Sequence, residues 1–349
     1  KQIQFAKDRP VGYSRAGLVT IGTTNHELDN QFNVVRQDLL KSGAVEEAAL
    51  SSSPTTAIHN NRSDVTWSGK DPAMAGDFAN VRVTTEFGKT VGWQFTDGRD
   101  FSTKFITDST AVILNEAAVK YMGLKNPVGQ MINFGRNHTN HRVIGVIKDM
   151  VMESPYEPAK QTLFYIDKSD FDAITIRINP HMSAHEAIGK IAAVCKKYAP
   201  SVPFAYSFVD DDYAKKFATE ERIGKLASSF AGLAIFISCL GLFGMASFMA
   251  EQRVKEIGVR KVLGATVFGL WRLMSKDFVA LIVIALFIAI PIAFYLMHDW
   301  LQKYTYHSEL SWWVFAATSG GAILITLLTV SYQSIRAALA NPVKSLRSE

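Results

Sequence analysis

From residue 226 onward the chain carries three apolar runs without a single charge, 226–250, 278–297 and 312–332. A helix that crosses a bilayer needs about 20 apolar residues, so each run predicts a span. Pro291 predicts a kink in the second. Before residue 226 the pattern changes to short alternations. Residues 18–21 read as a strand. Leu28, Phe32, Val35 and Leu39 share one face of a helix over about 25–42, with Gly43 as its stop, and 45–50 read as a second strand. Further on, Ile174, Ile176 and Ile178 alternate. Ser183 and Glu186 have the spacing of a capping box, and Ile188, Ile191, Ala192 and Cys195 form the core face of the helix that follows. Residues 204–209 then read as another strand. Two βαβ units suggest a ferredoxin-like split βαβ arrangement, with 90–168 as an inserted β-rich subdomain. The expected fold class is an α+β domain followed by an all-α transmembrane bundle of three spans. The expected domains are 1–209, a charged stalk helix over 210–225, and 226–349.

Charge sharpens this division. Residues 1–225 hold 27 of the 37 Lys+Arg and 26 of the 32 Asp+Glu, whereas 226–349 hold only 10 basic and 6 acidic residues. The pI near 9 therefore reflects basic loops beside a membrane; no basic stripe interleaved with aromatics points to nucleic acid. Arg253, Lys255, Arg260, Lys261, Arg272 and Lys276 crowd the loop 251–277, and Arg336, Lys344 and Arg347 follow the third run. The loop 298–311 holds Lys303 as its one Lys or Arg. The positive-inside rule puts loop 251–277 and the C-terminus in the cytoplasm. Residues 1–225 then lie outside, and Trp300, Tyr304, Tyr306, Trp312 and Trp313 form an outer aromatic belt beside the membrane lipids. Small residues recur at helical spacing at Ser228/Gly232, Gly241/Gly244 and Ala316/Gly320. They suit close helix packing, and they are also simply common in spanning helices. The chain opens on Lys1 without a signal peptide, so we expect the C-terminal portion of something longer.

Positive-inside topology does not require the sequence EQRVKEIGVRKVLGAT at 251–266. Its apolar residues Val254, Ile257, Val259, Val262 and Leu263 spread around a helical wheel, a poor match to a helix lying flat on lipid. They suit either docking into a groove of another protein or a solvated basic loop. The string resembles the cytoplasmic loop of FtsX-like/MacB-type ABC transporter permeases. The resemblance is carried by Arg253, Glu256, Ile257, Gly258, Val259, Arg260, Lys261, Leu263, Gly264, Ala265 and Thr266. The closing NPVKSLRSE, 341–349, resembles the ending of the same permeases. FTDGRDF (95–101), AVILNEAAVKYMG (111–123), NPVGQMI (126–132) and VIGVIKDM (143–150) resemble the MacB-like periplasmic core domain.

The resemblance implies a non-catalytic permease subunit in the bacterial inner membrane. It would convey the motion of a separate ABC ATPase dimer to a periplasmic domain and act on a lipoprotein, peptide, antibiotic or periplasmic protein partner. Arg253, Glu256, Ile257, Gly258, Arg260, Lys261, Leu263, Gly264 and Ala265 would couple to that ATPase. Gly232, Gly241, Gly244 and Gly320 would pack helices, in a four-span permease or in one half of a duplicated eight-span one. A second permease copy or the other half would be a further partner. ATP and Mg would belong to the ATPase, with no cofactor in this chain. A membrane receptor with an external sensing domain is the alternative from another class; its output would have to come from elsewhere, because only a short tail follows the last run. Other candidate chemistry is weak. Gly88-Lys89-Thr90 would need a glycine at Val83 to be a phosphate loop. His138 and His141 lack a second ligand pair. Cys195 reads as core packing, and Cys239 lies inside a run.

Overall fold

The computed structural model describes residues 2–23, 26–74, 76–135, 139–167 and 171–339. It divides into two compact units, Lys1–Ala218 and Thr219–Glu349. Twelve strands occur among the described residues of the first unit: β1 Leu18–Gly22, β2 Val45–Ser51, β3 Asn61–Arg62, β4 Thr66–Trp67, β5 Phe78–Val83, β6 Phe95–Gly98, β7 Ala111–Asn115, β8 Met131–Phe134, β9 Thr139–Ile147, β10 Thr162–Ile166, β11 Ala173–Ile178 and β12 Ser207–Phe208. Its helices are α1 Gln2–Lys7, α2 Phe32–Lys41, α3 Phe87–Val91, α4 Glu116–Met122, α5 Ala184–Tyr198 and α6 Val209–Lys215. The second unit holds α7 Ala218–Gln252, α8 Val254–Val262, α9 Val267–Gln302 and α10 Trp312–Leu339.

The strands form one mixed sheet in the order β12-β1-β11-β2-β5-β10-β7-β9-β8-β4, with β3 paired to β5 and β6 to β9. Its first four strands have the ferredoxin-like arrangement, with β1 and β2 flanking β11 antiparallel. Val35 and Leu39 of α2, with Ala187, Ile191 and Cys195 of α5, close over Val19, Ile21, Ile174 and Ile176 in one core. The other strands continue the same sheet through a narrow junction at Ser51 and Val83. They close on a second core of Trp67, Phe78, Leu114, Ile132, Phe134 and Tyr165. These intervening strands begin at Asn61, well before residue 90, where the sequence pattern placed their start.

Three local expectations change. Helix α2 starts at Phe32 rather than near 25. His26 has left-handed φ, its ring nitrogen meets Asp29 at 2.8 Å, and the chain turns here before the helix begins, although Leu28 still reaches the core. The hydroxyl of Ser183 accepts from Glu186 N, but the Glu186 carboxylate turns to Lys190 at 3.1 Å, so the box is half made. Residues 210–225 are not one helix. α6 ends at Lys215, and the long apolar helix starts at Ala218. The break is held by the sheet domain itself. Lys216 Nζ donates to the carbonyls of Thr56, Met152 (2.9 Å) and Glu153, while Phe217 and Tyr213 are buried beside Tyr156.

α7, α9 and α10 are each long and apolar enough to cross a membrane, and α9 continues through Pro291. α9 and α10 lie along one another, with Trp271 Nε1 donating to Ser331 Oγ at 2.7 Å and Phe294 against Phe315. α7 joins them through Ala246, which packs with Phe278 and Val330. Most of the remaining apolar side chains of the three helices face outward, as lipid contact requires. The ending 341–349 lies outside the described residues.

Candidate coupling elbow between two spans

Residues 251–277 are largely helical. α7 ends at Gln252, Arg253 serves as N-cap for the two-turn helix α8, and Thr266 caps α9 by accepting from Gly269 N at 3.2 Å. The reversal after α8 is a Schellman turn. Gly264 N donates to Lys261 O at 3.1 Å and Ala265 N to Arg260 O at 3.0 Å. Gly264 sits at φ 91, a conformation that a side chain disfavours strongly. Of the two glycines in the stretch, Gly264 therefore makes the bend, while Gly258 lies buried inside α8 rather than at a helix end.

The elbow has two faces. Ile257 is buried with Ala250 of α7 and with Leu270 and Met274 of α9, and α8 also rests on α10. Val259, Val262, Leu263 and Phe268 point the other way, from 48% exposed at Val259 to 80% at Leu263. Apolar positions that scatter around a helical wheel thus resolve into an inner anchor and an outer cluster. Phe268 was not among the predicted site residues. Its position just after the Thr266 cap, at the start of the next apolar helix, hid it among membrane residues. Around the outer cluster stand exposed Lys255 and Arg260 and partly exposed Lys261. Glu256 pairs with Arg260 at 2.6 Å one turn on, and Arg253 reaches Asp277 of α9 at 3.4 Å. The elbow thus presents a basic, apolar knob on a rigid base. By contrast, Gly232, Gly241, Gly244 and Gly320 face open space: a Cβ on any of them would meet nothing within 4 Å. Among the described residues, no close packing partner stands over these four.

The motifs of the first unit hold the sheet together. Asn115 ends β7 and caps α4, its Oδ1 accepting from Ala118 N and Thr162 N and its amide donating to Lys160 O. In FTDGRDF, Arg99 makes a bidentate pair with buried Asp108 at 2.6 and 2.7 Å, and Trp93 Nε1 donates to Asp100 at 3.1 Å. Burial raises the Asp108 carboxyl, but the Arg99 bonds and the Ser102 amide outweigh it and hold the group below the usual carboxylate range. Asp100 goes the other way, raised chiefly by burial. Lys89 of the Gly-Lys-Thr string meets buried Glu47 at 3.1 Å, beside Arg36. His141 stacks on Phe134, and burial lowers its pKa; His138 lies outside the described residues. Burial raises the Cys195 thiol to about 11, so it stays protonated in the core.

Comparison with known proteins decides the family. Residues 5–194 match the MacB-like periplasmic core domain, more than half of the chain, and residues 228–342 match the FtsX-like permease C-terminal family. The chain belongs to the MacB-type ABC transporter permeases. This permease is 24% identical over 366 residues to the macrolide export ATP-binding/permease protein MacB of Bdellovibrio bacteriovorus, across 96% of this chain and 53% of that protein. It is 23% identical over 321 residues to the uncharacterized ABC transporter permease YknZ of Bacillus subtilis, across 86% of this chain and 75% of YknZ. The periplasmic region of MacB from Actinobacillus actinomycetemcomitans aligns with 60% of this chain and 96% of its own length, at 16% identity and a TM-score of 0.43. The permease spans about half the length of the Bdellovibrio relative.

Proposed function

We propose that this permease conveys ATP-driven motion from a separate ABC ATPase dimer, which binds ATP and Mg, to the sheet domain of residues 2–217. The observation that carries the proposal is the two-faced elbow. Val259, Val262, Leu263 and Phe268 stand exposed on a base anchored by Ile257 and shaped by Gly264. Exposed apolar side chains ringed by cations fit a groove on another protein better than water. In this reading the elbow and C-terminus face the cytoplasm of a bacterial inner membrane, and the sheet domain faces the periplasm. Nucleotide binding shifts an assembly with two states, and the elbow biases the spans. A second permease copy, or the other half of a duplicated permease, would cover α7, whose exposed apolar side chains stand along most of its length. The cargo or regulated partner belongs to the periplasmic side.

The test measures ATP hydrolysis by the reconstituted ATPase and permease alongside membrane insertion. Glu256→Lys, which reverses a charge on the elbow, and Gly264→Trp, which disfavours its turn, should insert normally and lose about tenfold of the permease-dependent ATPase stimulation. Normal stimulation with both variants refutes the coupling role.

A further inference from the structure

The sheet domain carries a second exposed feature, at the joint of three strands. β6 and β8 lie on the same side of β9, end to end. β8 pairs with its first half and β6 with its last residues. Between them Arg99 N donates to Ile144 O, and Gly129 N to Val143 O. The joint leaves an open cleft of about 730 Å³ floored by Val143 and Ile144. Gly98, at the end of β6, permits the close approach; a Cβ there would fall 2.2 Å from Ile144 O. Of the seven large apolar side chains that stand exposed among the described residues 2–217, four gather at this place. Val128 and Met131 line the cleft, and Phe105 and Ile106 stand beside it, Ile106 at 92% exposed. Chance scatter over the domain would not put most of them at one joint.

Charge at the same place is one-sided. The residues lining the cleft include Arg99 and Arg142 and no carboxylate. Arg99 is committed to Asp108, whereas Arg142 is exposed and makes no ion pair among the described residues. Asp97, just before the cleft, accepts from Gly98 N.

The geometry points to this cleft as a docking surface for an acidic, apolar-anchored peptide segment of another protein. A free guanidinium takes a carboxylate in a bidentate fork, and the apolar side chains on both sides offer separate seats for neighbouring side chains. The cleft is open to solvent. An acyl chain would leave much of its surface in water there, whereas a polypeptide would span it. The site is independent of the elbow, and its test needs no nucleotide.

The probe is a fluorescein-labelled synthetic peptide alternating leucine with glutamate, set against a twin alternating leucine with lysine. Both are titrated onto the full chain in detergent and read by anisotropy. The glutamate peptide should bind and the lysine peptide should not. Arg142→Glu should weaken the first about tenfold and admit the second, and Ile106→Ser should weaken the first with no change of charge. Equal binding of the two peptides overturns the assignment, as does indifference to both substitutions. Capture of anionic phospholipid vesicles through Arg142, with neither peptide bound, overturns it in favour of a lipid surface. ATPase stimulation should be unchanged in both variants, so failure here leaves the elbow untouched.

Discussion

At the scale of single residues, the contacts that matter most join positions the sequence shows no reason to pair. FTDGRDF could be recognised as a string, but nothing in it says that Arg99 grips Asp108, because the 3-10 turn at Ile106–Thr110 that brings Asp108 back is not periodic. The Asp108 side chain is 2% exposed, so removing its partner leaves a buried carboxylate unpaired. Arg99→Met should destabilise the sheet domain by about 2–3 kcal/mol and lower its melting temperature by about 5–10 °C, read by the fluorescence of nearby Trp93. The pH dependence has a definite sign. A carboxyl held below its ordinary value stabilises the fold fully above that value and loses the contribution as pH falls through the lowered one. The pair therefore stabilises above about pH 4 and weakens in stronger acid. The gap between wild type and Arg99→Met should narrow there, and a gap independent of pH would refute the assignment.

At the scale of elements, what was legible followed periodicity and what was not followed distant contacts. The alternation at Ile174, Ile176 and Ile178 and the helical face ending at Cys195 were readable because their burial repeats with the element's own period. The break between α6 and α7 was not readable, since a charged stretch that runs into an apolar one has no local stop signal. It depends on loops far away in sequence, whose carbonyls receive Lys216 Nζ and whose Tyr156 packs on Phe217. Arg15 above Tyr213, at 4.1 Å, presses on the same place. Lys216→Met would strip three carbonyls of their donor while keeping the length of the side chain. Amide hydrogen exchange in residues 54–57 and 150–154 should rise by about tenfold. If motion passes through this junction, permease-dependent work on the periplasmic side should fall while ATPase stimulation persists. Unchanged exchange at both loops would show that the ammonium ties nothing down.

At the scale of the whole molecule, the spans were legible because a bilayer imposes length and apolarity on sequence directly, and the elbow because its residues resemble those of a family. The depth of each elbow residue was not legible. Ile257 lies within one short helix and Leu263 caps its end; both are aliphatic, and only α7 and α9, through Ala250 and Met274, decide that the first is buried and the second exposed. That difference separates folding from coupling. Ile257→Ala removes core volume where the two spans meet and should cost about 2–3 kcal/mol, seen as a lower melting temperature in detergent. Leu263→Ala removes a side chain that is 80% exposed, so the melt should hold within about 0.5 kcal/mol. If the outer cluster is the surface that an ATPase grips, Leu263→Ala should nevertheless raise the ATPase concentration needed for half-maximal stimulation by about tenfold, as the loss of an apolar anchor at an interface does. A variant that melts normally and also binds the ATPase normally would show that the knob is a solvated turn.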